Sequence, residues 1–167
     1  MNEYGAILLT FAEVAATLTG FIGVVFILAE EPRGVRSVHE SSALFHLLFS
    51  ALSALFLSLL TAILLTYSAA DEHFAWRIAN TLSGFVHLLG AGRLAVEMSQ
   101  QKSAMQRGIV ASTIGIGTAG ASFMAAAGYL AREEALIFML ATLWALGVTV
   151  IAFVSLLISA QQDGTKE

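Results

Sequence analysis

The sequence predicts an all-α membrane protein, a bundle of five transmembrane helices joined by short loops. Three observations carry that expectation. The 167 residues are 57% hydrophobic and only 12% charged, with a mean hydropathy of +0.81. Soluble domains carry roughly 25% charged residues, and a water-soluble domain of this size could not hide so much apolar surface. The apolar residues gather into five runs, 4–29, 41–67, 74–98, 107–130 and 134–160. Each is long enough to cross a bilayer with some tilt. The connectors between them are too short to hold a domain, so successive helices run antiparallel and residues 1–167 form one integral membrane domain.

The first run contains a carboxylate, Glu13, among Leu8, Leu9, Phe11, Val14 and Ala15. A charged group at such a depth is costly and ordinarily faces a protein interior or a water-filled cavity. Thr10, Glu13, Thr17 and Gly20 follow a 3–4–3 spacing and share one helix face. Gly20 and Gly23 are candidate close-packing positions. The Met-Asn-Glu-Tyr-Gly start lacks the positive segment of a signal peptide, so the run reads as a retained helix.

The second run carries His39, Ser42, His46, Ser50 and Ser53 along a polar stripe. The third is the most polar, with Arg77, Asn80, Gly84, His87 and Ala91 on one face and Arg93 and Glu97 near its end. Arg93 and Glu97, four residues apart, read as an interfacial pair whose long side chains snorkel toward water. The fourth run is rich in small residues, with Gly115 and Ala119 at the four-residue spacing that lets helix backbones approach in lipid. The fifth is nearly apolar and reads as an outer wall, although Trp144 sits too deep for an interfacial belt and points to a protein contact.

Orientation follows from the basic residues. Arg33, Arg36, Arg93, Lys102, Arg107 and Lys166 fall on one side, and Arg77 and Arg132 on the other. The expectation is a plasma membrane, specifically a bacterial inner membrane, with the N-terminus outside and the C-terminus cytoplasmic. The Glu13 helix with Gly20-Phe21-Ile22-Gly23-Val24-Val25 resembles the first helix of small uncharacterised bacterial integral membrane proteins. The resemblance covers about the first fifth of the chain and implies a bacterial origin, with no activity attached.

Composition also excludes. With no cysteine there are no disulfides, iron–sulfur clusters or thiol nucleophiles. A net charge of −4 without a basic patch leaves no footprint for nucleic acid. No HExxH, GxSxG or Walker loop is present, so no enzyme is expected. Gly115-Ile116-Gly117-Thr118-Ala119-Gly120 lies mid-helix without a preceding strand and reads as packing glycine. No metal site is expected: His39 and His46 are about 10 Å apart along their helix, too far to share zinc. Haem b between His46 and His87 is disfavoured because an estimated depth difference of about 10 Å separates ligands that one iron needs nearly level.

What remains is a polar ladder. Glu13, His87 and then His46, with Thr10, Thr17 and Asn80 beside them, suggest a proton or ion path bridged by water. The expected function is a small homo-oligomeric channel or carrier for protons or cations, with copies of Glu13 gathered near an axis. The alternative is a non-transporting scaffold in which Glu13 glues helices together.

Overall fold

In the computed structural model, residues 3–28, 38–67, 71–100 and 105–163 are described. They form α1 (Glu3–Leu28), α2 (Val38–Tyr67), α3 (Glu72–Gln100), α4 (Met105–Ala126) and α5 (Glu134–Asp163). No strand occurs among the described residues. The first and third connectors, with Arg33, Arg36 and Lys102, lie outside them. So do the side chains of His39, Glu40, Glu97, Arg107 and Ser155.

Four of the helices contain stretches long and apolar enough to cross a membrane, Glu3–Val24, Leu44–Tyr67, Ile109–Ala126 and Glu134–Val154. Their outward faces carry large apolar side chains, among them Phe56, Ile63, Leu140, Leu143 and Ile151. This is the make-up of a membrane-embedded protein. The third helix is not among the four, because Arg77, Asn80, His87 and Arg93 dilute its apolar residues. The expectation of five spans is therefore met only in part: there are five helices, and four of them have the composition of a span.

Three layers of side chains fix the direction of α1, α2 and α5. Leu8, Leu57 and Phe138 share one cluster with Trp76 and Ala79 of α3. Ala15, Ala54, Ala145 and Leu146 form the next, and Ile22, Leu47 and Ala51 the third, with Ala152 and Phe153 against them. Residue numbers rise through the layers in α1 and α5 and fall in α2. The first and fifth helices are thus parallel and the second opposes both.

Alanine dominates the middle layer, where Ala15, Ala54 and Ala145 are small enough to let three helices converge. α5 is consequently not the outer wall its composition suggests. Phe138, Ala141, Thr142, Ala145, Leu146 and Thr149 are buried on one face, and only the opposite face is open. Its two core threonines bond to carbonyls one turn back, Thr142 to Phe138 and Thr149 to Ala145, which hides their polarity.

α3 and α4 form a closely packed hairpin. A Cβ on Gly115 would lie 3.1 Å from Ala91 Cβ, and one on Gly84 would lie 2.8 Å from the Phe123 ring. Gly115 is therefore a point of close backbone approach, and Gly84 makes room for the Phe123 ring. Ser112 Oγ donates to the Ala91 carbonyl at 3.3 Å, and Ala119 is buried beside them.

Helix ends explain where the sequence expectation misplaces a boundary. α4 was expected to run to residue 130 and stops at Ala126. Gly128 N–H donates to Ala125 O and Tyr129 N–H to Met124 O, while Gly128 takes φ +85°. This paired-bond, left-handed glycine ending satisfies carbonyls that would otherwise be orphaned. α3 starts earlier than residue 74 because Asp71 caps it, its Oδ1 accepting from Phe74 N–H at 3.2 Å.

Candidate functional site

Buried polar groups, Asn80, Ser83 and His87, line the interior face of α3, and an ion-paired cluster with the exposed His73 and Arg77 lies at its start. At the open end, Glu134, the first residue of α5, is 2% exposed. His73 Nδ1 donates to Glu134 Oε2 at 2.8 Å, and Arg77 Nε lies 3.5 Å from Glu134 Oε1, an ion-pair distance without a hydrogen bond. The α5 N-terminus adds a favourable partial charge for the carboxylate. Hydrogen bonding to Glu134, then the charge of that carboxylate, raises the His73 pKa above its ordinary 6.5. Arg77 in turn is held under the α4–α5 turn, where a Cβ on Gly128 would lie 3.1 Å from its Nη2.

One turn deeper, Asn80 is fully buried. Its Nδ2 donates to the carbonyls of Trp76 and Glu134, each at 3.0 Å, which tethers α3 to the start of α5. That leaves Oδ1 buried without a hydrogen-bond partner. Ser58 Oγ on α2 and Ser122 Oγ on α4 are in the same position. Such groups cost stability unless something satisfies them.

Next comes His87, 8% exposed. Its Nδ1 lies 2.8 Å from the Ser83 carbonyl and its Nε2 lies 3.2 Å from the Ala141 carbonyl of α5. A neutral imidazole has one N–H and serves one of these acceptors at a time, whereas an imidazolium serves both.

His87 borders a cavity of about 90 Å³ also lined by His46, Ser50, Gly90, Gly115 and Trp144. Ser50 Oγ closes one side, lying 2.8 Å from Thr149 Oγ1 and 2.6 Å from the His46 carbonyl. Arg93 is exposed, its guanidinium 3.7 Å above the Phe45 ring next to His46. Glu97, its expected partner, has a side chain outside the described residues.

The structure thus brings His46 and His87 to one cavity and places Asn80 on the same buried face of α3. Glu13 is not brought to them. It is exposed on α1, as are Thr10, Thr17 and Gly20. The α1 stripe faces away from the bundle, while Ala12 and Ala15 face inward. Thr10 and Thr17 donate to the carbonyls of Ala6 and Glu13 at 3.1 and 2.8 Å. Gly20 and Gly23 have nothing near the position of a Cβ, whereas Gly115 lies against Ala91 of α3 and Ala119 is buried.

Sequence reasoning passed over Glu134, and with it the pairing of His73, whose 14-residue spacing to His87 is suggestive of a haem helix but has no matching pair on the second helix. Both sit at helix starts, where a charge ordinarily reads as interfacial. Only the buried Asn80, seven residues beyond His73, hinted that this end of α3 was enclosed. Among the described residues no group of three or more His, Asp and Glu side chains is placed to hold a metal.

No family model matches the chain, and no curated protein or solved structure matches it either.

Proposed function

We propose that the protein is a small homo-oligomeric conductor or carrier of protons or cations in a bacterial inner membrane. In this reading all five helices cross, the N-terminus lies outside, and the path runs through the bundle interior. The observation that carries it is His87, set between two carbonyl acceptors at the wall of a cavity shared with His46. A proton arriving at His87 gains an acceptor already in place, and a proton leaving costs one bond rather than a rearrangement. Asn80 Oδ1 offers an acceptor between this ring and the Glu134 end. Water in the cavity bridges toward His46.

Proteoliposome flux tests the reading. Protein reconstituted under a pH gradient or an imposed potential should dissipate it, and His87→Gln should slow the rate about a hundredfold or more, the low end of what losing a proton-transfer group costs. Gln keeps one donor and one acceptor but takes no proton, so an unchanged rate removes His87 from the path.

A scaffold without transport is the second reading. It is favoured by the fact that His87 and Asn80 both bond to carbonyls of α5 and so join two helices. No flux of any ion under any gradient selects it. A Soret band in purified protein would instead select the haem b reading.

A further inference from the structure

We propose that the outward face of α1 is the contact between two copies of this chain, with Glu13 as its central hydrogen-bonding group. The inference deepens the self-association in the function proposed above and rests on that part alone. It does not depend on conduction.

The argument starts from depth. The apolar run 4–29 places Glu13 about 5 Å to the N-terminal side of its midpoint at the helical rise, well inside the hydrocarbon layer. The other interior polar groups described above turn into the bundle. Glu13 turns out, and so do Thr10 and Thr17, one turn to either side. A carboxylate at that depth facing lipid is unfavourable in either protonation state, and the neutral acid still needs an acceptor.

The same face supplies one. The Thr10 and Thr17 hydroxyl hydrogens are used on Ala6 O and Glu13 O of their own helix. Their oxygens retain lone pairs directed outward. A protonated Glu13 brings the O–H that those oxygens lack. Donor and acceptors therefore lie on one stripe, and the stripe is complementary to itself. Gly20 adds open space for a second backbone to approach.

Self-complementarity selects the occupant. Two copies inserted with the same topology are related by an axis along the membrane normal, so Glu13 of one copy meets Glu13 of the other at the same depth. The two acids then bond to each other or to the facing threonine oxygens. A different protein carrying a basic helix would satisfy only the charge and would leave the threonines unused.

The chain has no cysteine, so single cysteines report the contact directly. In liposomes at low protein-to-lipid ratio, Thr10→Cys or Thr17→Cys should cross-link to dimers with an oxidant or a short bis-thiol reagent. Leu143→Cys on α5 and Leu89→Cys on α3, equally exposed at other faces, should not. Glu13→Leu should weaken the dimer roughly 3- to 30-fold, the range of one interhelical hydrogen bond in a membrane. Glu13→Gln, which keeps a donor and an acceptor, should hold it within about threefold.

A monomer at all ratios, cross-linking through α5 or α3, or a ladder beyond dimer overturns the proposal. A dimer indifferent to Glu13→Leu removes Glu13 as its bonding group. Dimers without flux leave this contact standing and remove conduction. Flux from monomers does the opposite.

Discussion

At the scale of single residues, the His73–Glu134 pair has the clearest consequence for solution behaviour. Glu134 and, less strongly, Asp71 raise the His73 pKa, while Arg77 opposes them. A raised folded-state pKa means that the native protein holds the proton more tightly than the unfolded chain. The stabilisation is then full below the ordinary value of 6.5 and fades as pH rises through the raised value. Unfolding in detergent micelles should show stability falling across that window. Both His73→Ala and Glu134→Gln should flatten the slope, because each removes one half of the same linkage. A slope that survives both changes belongs to another group.

The residue scale is also where sequence was least legible. Glu13 and its stripe follow from spacing alone, but spacing defines a face and not the direction that face points. The position of Ala12 and Ala15 in the alanine layers settles it, and those layers exist only once α2 and α5 are in place. Burial of Glu134 was hidden for a related reason. Its partners His73 and Asn80 are 61 and 54 residues away in the chain.

At the scale of elements, the helices were legible because each is a long apolar run, and their bounds moved by a few residues. The end of α4 was not. In a helix already rich in glycine and alanine, Gly128 looks like one more packing residue, and only its φ of +85° marks it as a terminator. Gly128→Ala should therefore lower stability by about 1–2 kcal/mol, the cost of a left-handed non-glycine residue, with further strain from Arg77 Nη2.

The glycines within α4 divide in the same way. Gly115→Ile, pressed onto Ala91, should cost about 1–3 kcal/mol as an overpacked contact. Gly117→Ala and Gly120→Ala face open space inside a helix and should raise stability by about 0.5–1 kcal/mol, the helix preference of Ala over Gly. Thermal unfolding of the purified variants measures all of these.

At the scale of the whole molecule, two units meet. α1, α2 and α5 pack through layered alanines, and α3 packs against α4 through glycine contacts. The 90 Å³ cavity with His46 and His87 lies between the two units, where neither set of small residues closes the gap. Filling that seam should affect both together. Gly90→Leu, aimed at Phe49 on the cavity wall, should reduce any flux while leaving α1-mediated association intact, as read by the cysteine cross-links.

The polarity of α3 also bears on how the protein is made. Its carbonyl and carboxylate partners on α5, Glu134 and Ala141, are synthesised 54 to 61 residues after the groups they bond. When α3 leaves the ribosome, none of those partners exists. On the five-span reading, the translocon then meets a segment too polar to enter lipid unaided. α3 must wait at the protein channel, or enter paired with α4, until α5 arrives. A nascent chain arrested before Glu134 should leave α3 outside the bilayer, accessible to a water-soluble thiol reagent at an introduced cysteine. One extended past Val154 should not. On that reading, chain order makes the last helix the one that admits the third.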